Sequence, residues 1–156
     1  MKYERPNLKD FEMKYETPAD KEREEFILQV ATKQWGLEAQ KLSAVNYKVD
    51  YVFHTKGVIQ CFVEIKDRTA SGKLSSFSTV YIGLAKVLAG TLLARHTGVE
   101  FVFIVKFEDG IFFHTFKDED SFPVRVKGSY YEQRCDFDIE PIVEIPVERF
   151  NLLEAF

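Results

Sequence analysis

Apolar positions recur at two periods along this chain. From Lys21 to Gln34, Phe26, Ile27, Val30 and Ala31 fall at helical spacing, Thr17-Pro18-Ala19-Asp20 opens the segment and Gly36 closes it. Acids in the first turns complement the positive end of the helix dipole. The runs Tyr47–Phe53 and Val58–Lys66 are rich in β-branched and aromatic residues and are separated by a Lys56-Gly57 turn, which predicts an antiparallel hairpin. A second helix is predicted from Phe77 to about His96, with Val80, Leu84, Val87, Leu88 and Leu92 at helical spacing. Gly83, Ala85, Ala89, Gly90 and Ala94, interspersed along it, would let that helix press closely on a sheet. Val99–Phe107 reads as a continuous apolar strand buried on both faces, and the helix before it supplies the crossover that a parallel neighbour requires.

The remaining chain carries weaker signals. Glu108-Asp109-Gly110 is a turn into Ile111–His114, a fifth strand. Residues 117–140 are charged and irregular, with Tyr130, Tyr131, Arg134, Asp136 and Asp138. Ile139–Pro146 resembles an edge strand bracketed by prolines, and Val147–Leu153 a short closing helix or turn. Residues 1–16, charged with scattered aromatics, read as an arm on a single domain spanning 1–156.

Chemistry concentrates on the hairpin. Counting outward from the Lys56-Gly57 turn sets Asp50 opposite Val63 or Glu64, so two carboxylates become neighbours. Glu64 and Lys66, two apart on a strand, leave the same face while Ile65 points to the core. Paired carboxylates repel unless a cation lies between them, and oxygen-only ligands favour Mg²⁺ or Mn²⁺ over zinc. The Ile65 carbonyl could complete the ligand set. Two acids and a lysine in this arrangement suit metal-assisted phosphodiester chemistry. Arg68 and Lys73 follow in a loop beside the expected cleft, where they could grip backbone phosphates, Arg68 being the better placed.

Composition narrows the alternatives. With 156 residues, 46% of them hydrophobic and fifteen of them Phe, the chain can bury one sizeable core. It has no apolar run long enough to span a bilayer and no secretory leader. Cys61 and Cys135 lack metal spacing and read as free thiols in a reducing cytoplasm; His54, His96 and His114 form no ligand pattern, which argues against zinc. Neither a Gly-rich phosphate loop nor a nucleophile elbow is present.

On Asp50 and Glu64-Ile65-Lys66 the chain resembles the PD-(D/E)xK nuclease superfamily of restriction-endonuclease-like fold. Asp50 matches the acid of the first half-motif, with Val49 in place of the usual Pro, and Glu64-Ile65-Lys66 matches the second in full. The resemblance implies an α/β fold whose core runs helix, three-stranded meander, helix, strand, over about residues 19–107, with additional strands C-terminal to it. Asp-Ile-Glu-Pro and Ile-Pro near the end are similar to the C-termini of small phage-encoded members, which implies the cytoplasm of a bacterial or phage-infected cell. Family members often carry a glutamate on the first helix that approaches the metal, a role implied for Glu22, one turn before Phe26, rather than for Glu24 or Glu25. They often carry a Lys or Gln on the second helix that touches a phosphate, a role implied for Lys86.

The function implied is a nuclease dependent on Mg²⁺ or Mn²⁺ that hydrolyses nucleic acid, with DNA the expected substrate and 5′-phosphate ends the usual outcome. Asp50, Glu64 and the Ile65 carbonyl would hold the metal, and Lys66 would orient the attacking water. The chain is also compatible with a homodimer. A formal net charge of −4 opposes strong phosphate-driven binding and predicts binding that is weak, metal-dependent and salt-sensitive. The second reading is a module of the same fold that binds nucleic acid or assembles without cutting. A small-molecule α/β enzyme, the third, has no cofactor signature to support it.

Overall fold

The computed structural model describes residues 17–127 and 139–156. The sequence-predicted arm at 1–16, together with Tyr130, Tyr131, Arg134, Cys135, Asp136 and Asp138, lies outside the described residues.

Helix α1 spans Pro18–Trp35. Thr17 caps it reciprocally with Asp20: the Asp20 amide donates to Thr17 Oγ1 at 3.2 Å and the Thr17 amide donates to the Asp20 carboxylate at 2.9 Å. Gly36, at φ 64°, ends it in the left-handed conformation. Strands β1 (Glu38–Lys41), β2 (Tyr51–Thr55) and β3 (Val58–Asp67) form the antiparallel meander. Lys56 and Gly57 both take positive φ, as a tight two-residue hairpin turn requires.

The segment Phe77–His96 is not one helix. Thr79–Gly83 is strand β4, and helix α2 begins only at Leu84, running to Thr97. Val80 and Ile82 are buried while Thr79, Tyr81 and Gly83 are half-buried, a period-two pattern that the helical spacing of Val80 with Leu84 obscures. Strands β5 (Glu100–Phe107) and β6 (Gly110–Thr115) follow as predicted. Within the charged 117–140 stretch lies another strand, β7 (Val124–Lys127). Strand β8 (Glu140–Pro146) is central rather than an edge, flanked by β4 and β7, and its prolines are tolerated because they sit near its two ends. The closing segment is a 3₁₀ turn, Val147–Arg149, followed by strand β9 (Asn151–Ala155).

The main sheet has the order β1-β2-β3-β5-β6-β9, with β3 and β5 parallel and the other pairs antiparallel; a second sheet has the order β4-β8-β7. Each face of the main sheet buries its own core. On one face Ile27, Leu28 and Ala31 of α1 pack against Tyr51, Phe53, Val63 and Ile65. On the other, Val80, Ile82, Val143 and Ile145 of the second sheet, with Leu84 and Val87 of α2, cover Val52, Phe62, Phe101 and Phe103. This helix, meander, helix, strand core with added C-terminal strands is the restriction-endonuclease-like arrangement of an α/β protein. Among the described residues no helix is long and apolar enough to cross a membrane. Cys61 is a buried free thiol, pushed up to about 12 by burial and by the charge of Glu100.

Candidate active site

The hairpin ladder pairs Tyr51 with Val63, and one further step sets Asp50 across from Glu64. Residues on either side anchor Asp50: Val49 and Tyr51 are buried, and the Asp50 carbonyl accepts the Leu42 amide at 2.8 Å. A bulge between Phe53 and His54 absorbs one residue of β3, so the register nearest the turn differs by one from that at the site. Glu64 lies on the face that packs toward α2 and the second sheet, between the core residues Phe62 and Phe103, and is 0% exposed.

A third group joins the two acids. Lys86, in the first turn of α2, places Nζ 2.9 Å from Asp50 Oδ1 and 3.1 Å from Glu64 Oε2. The two carboxylate oxygens therefore lie no further apart than the sum of those lengths. Lys86 donates a hydrogen bond to Asp50. With Glu64 Oε2 it forms an ion pair, and among the described residues no other group donates to either Glu64 oxygen. A fully buried carboxylate met by one shared ammonium is costly unless a further cation or a proton joins it. Burial and the neighbouring Asp50 push the Glu64 carboxyl up to about 8, against the opposing pull of Lys86 and Lys66. Burial alone would lower the Lys86 ammonium, but the Glu64 and Asp50 charges outweigh it and hold the group above the ordinary lysine range. Lys86 thus stays charged while Glu64 is the member that takes up a proton.

The site fits a divalent cation in its donor chemistry: two adjacent carboxylates, one of them met among the described residues by Lys86 alone. Among the described residues no third Asp, Glu, His or Cys gathers with them. A further oxygen comes from the backbone. The Arg68 amide donates to the Lys106 carbonyl of β5 at 2.7 Å, so strand alternation aims the Ile65 carbonyl away from β5, toward the side on which β2 has ended. Lys66 leaves β3 on the Glu64 face and is exposed, its charge felt by both Glu64 and Tyr81.

Glu22 is not brought to this cluster. The face of α1 that enters the core is Ile27, Leu28 and Ala31, whereas Phe26 is 44% exposed, so a residue one turn before Phe26 lies on the rim. Glu22 is exposed and lines a cleft with Arg23, Phe26, Asp67, Lys106 and Phe156. Moreover, α1 covers the sheet face opposite to that of Glu64. The acid of α1 that turns inward is Glu24, whose carboxylate accepts the Tyr51 hydroxyl hydrogen at 2.9 Å. Glu25 stays outside, beside Gln29. Tyr51→Phe should cost about 1 kcal/mol of stability, read as a lower urea midpoint, by removing this tether beside Asp50. An unchanged midpoint would mean that the hydroxyl finds equal partners in water.

Arg68 and Lys73 separate in the structure. Asp67 accepts from the Thr69 amide at 2.8 Å and holds the turn after β3, which lays Arg68 over the Tyr81 ring, its guanidinium carbon 3.7 Å from the centroid. An Arg68 nitrogen also donates to the Tyr81 carbonyl at 2.5 Å, and burial draws the guanidinium below its usual value. Lys73 is exposed, preceding the 3₁₀ turn Leu74–Ser76. Tyr81 and Lys127 escape sequence reasoning: Lys127 Nζ lies 3.0 Å from the Tyr81 ring centroid, and the strand alternation at Thr79–Gly83 is the only local sign that Tyr81 would face outward.

Comparison with known proteins bears on this geometry. A protein family described as "Phage putative PDDEXK endonuclease" matches residues 10–153, nearly the whole chain. No curated protein matches it. With that match over a restriction-endonuclease-like core that sets Asp50 beside Glu64 and places Lys66 two residues on, the chain belongs to the phage PDDEXK endonuclease family.

Proposed function

We propose that the protein is a nuclease dependent on Mg²⁺ or Mn²⁺ that hydrolyses phosphodiester bonds of DNA. The observation that carries this reading is the fully buried Glu64 carboxylate, met among the described residues by Lys86 alone and held beside Asp50 at the end of the hairpin. Asp50, Glu64 and the Ile65 carbonyl would hold the cation. A divalent cation at such a site lowers the pKa of a bound water and offsets charge on the phosphoryl oxygens. Lys66 supplies a fixed positive charge at the exposed rim of the same strand face, where it orients the nucleophile and opposes the charge that develops in the transition state. The Glu64 carboxyl must give up its proton to become a ligand, so cation binding at neutral pH should release a proton. Lys86 holds the two carboxylates together and is positioned to turn toward a phosphate once another cation neutralises them.

Lys86 also favours the second reading, a nuclease fold that binds nucleic acid without cutting it, because its ammonium already bridges the acids. Mn²⁺ titration by calorimetry separates the two. On the nuclease reading wild type binds Mn²⁺, Asp50→Asn loses that binding, and Lys66→Ala keeps it while losing Mn²⁺-dependent cleavage of labelled DNA. If wild type takes up no Mn²⁺, or if Asp50→Asn binds it as well as wild type does, the nuclease reading fails.

A further inference from the structure

Tyr81 stands on the outer face of β4, alternating with the buried Val80 and Ile82, and two cations lie against its ring. The Arg68 guanidinium lies 3.7 Å from the ring centroid and Lys127 Nζ 3.0 Å from it. Lys66 contributes from the neighbouring main sheet. Among the described residues none of these three cations forms an ion pair with a carboxylate, although the chain as a whole has more acids than bases. Glu144, the register partner of Tyr81, is held by Arg125 at 3.3 Å, and Glu140, the register partner of Lys127, places its carboxylate beside Gly83 without pairing with any of the three. Three like charges gathered around one aromatic ring repel one another, and ring faces repay only part of that cost. Burial by itself would raise the Tyr81 phenol, yet the three cations outweigh it and lower the group below the ordinary tyrosine value. A local field of this sign, on an acidic protein, points to an anion.

We infer that Arg68 and Lys127, both against the Tyr81 ring, form a phosphate-binding subsite for a non-scissile backbone phosphate of the nucleic-acid strand. The placement rests on the nuclease reading in one respect: Arg68 directly follows β3, which carries Glu64, and β4 with Tyr81 runs straight into the turn of α2 that carries Lys86, so the subsite adjoins the carboxylate pair. The planar guanidinium of Arg68 is held in place by its bond to the Tyr81 carbonyl and by the ring beneath it, so little rotamer freedom remains to be lost on binding. Lys127 lies at the end of a strand exposed at all four positions, so a strand of nucleic acid can reach it. The Tyr81 hydroxyl adds a donor at the centre. Strand β4, inserted between the catalytic strand and α2, thereby carries the second sheet to the site and extends the surface that tracks the backbone.

The test is the salt dependence of DNA binding in Ca²⁺, a hard cation that carboxylate oxygens also hold, followed by fluorescence anisotropy of labelled duplex and single-stranded DNA. Loss of one phosphate contact reduces the slope of log K against log salt by about 0.9 on a duplex or about 0.7 on a single strand. Lys127→Gln is expected to show that reduction and to weaken binding several-fold. Tyr81→Phe is expected to weaken binding while leaving the slope unchanged, since it removes a neutral donor. Lys117→Gln, which breaks the exposed pair with Glu100 at the other end of β5, serves as the control and should leave both quantities unaltered. An unchanged slope in Lys127→Gln, or a wild type that binds neither DNA form, overturns the subsite. Cleavage in Mn²⁺, measured in parallel, keeps the two readings apart: an inactive protein whose slope still falls in Lys127→Gln retains the subsite without the nuclease, and an active one with an unchanged slope retains the nuclease without the subsite.

Discussion

Glu64→Gln should abolish Mn²⁺-dependent cleavage while making the metal-free protein more stable at and above pH 8. The two effects have one origin. Removing a metal ligand takes away both water activation and charge stabilisation, so cleavage should fall by several orders of magnitude, beyond the ~10² to 10³ seen for one electrostatic donor. In the metal-free protein the same carboxylate is a liability: it is fully buried, next to Asp50, and met among the described residues by Lys86 alone. Its folded-state pKa of about 8 lies above the 4.5 of an unperturbed glutamate. Between those values the folded chain binds more protons than the unfolded one, so stability declines as pH rises from about 4.5 through about 8. A glutamine, isosteric and always neutral, removes this dependence. Urea unfolding across pH 5 to pH 9 in EDTA would show wild type losing stability and the variant nearly level; parallel curves would mean that Lys86 neutralises Glu64 more completely than its geometry suggests. Saturating Mn²⁺ should return the lost stability to wild type at pH 8 and do little for the variant.

Much of this site was legible before any coordinates, for a specific reason. Hairpin register is arithmetic once a turn is recognised, and Lys56-Gly57 is a turn whose positive φ angles the structure bears out. The opposition of Asp50 and Glu64 follows from it even though a bulge shifts the ladder near the turn. The first helix, β5 and β6 were legible because each carries one undiluted period. What failed were segments in which two periods coincide or none is strong. Val80 and Leu84 are four apart and imitate a helix, although Thr-Val-Tyr-Ile is a β-branched and aromatic alternation that ends at Gly83. Strand β7 is exposed at all four positions and carries no burial signal, and the prolines of β8 suggested an edge because their place at its ends could not be known. Glu22 lies away from the cluster because α1 covers the sheet face opposite to that of Glu64, and which face a helix covers is not written in its own period. Lys86 was conspicuous as a charge in an apolar run, but its partners lie on two other strand segments and only folding unites them.

Among the described glycines an added Cβ would meet its closest neighbour at Gly90, and Gly90→Ala should destabilise the protein although alanine is the better helix former. In an exposed helix interior this exchange gains about 1 kcal/mol. Here a Cβ would lie 2.4 Å from two ring carbons of Phe101, well inside van der Waals contact. Phe101 has little room to withdraw, since it is fully buried and stacked on Phe116 at 5.1 Å, and Phe116 is in turn packed edge-on against His114. Overpacking of this kind costs about 1 to 3 kcal/mol and sometimes more, so the net loss should be on the order of 2 kcal/mol, with Gly90→Val worse. Ala85→Gly, at an exposed position of the same helix, should lose about 1 kcal/mol through propensity alone, so the two exchanges run in opposite chemical directions and both lower the urea midpoint. The consequence for the site separates this from a purely local effect. Because α2 carries Lys86, lifting the helix off Phe101 should move the ammonium away from Asp50 and Glu64, and Mn²⁺ affinity in Gly90→Ala should change. A more stable Gly90→Ala would show that α2 rides further from β5 than the close approach at Phe101 requires.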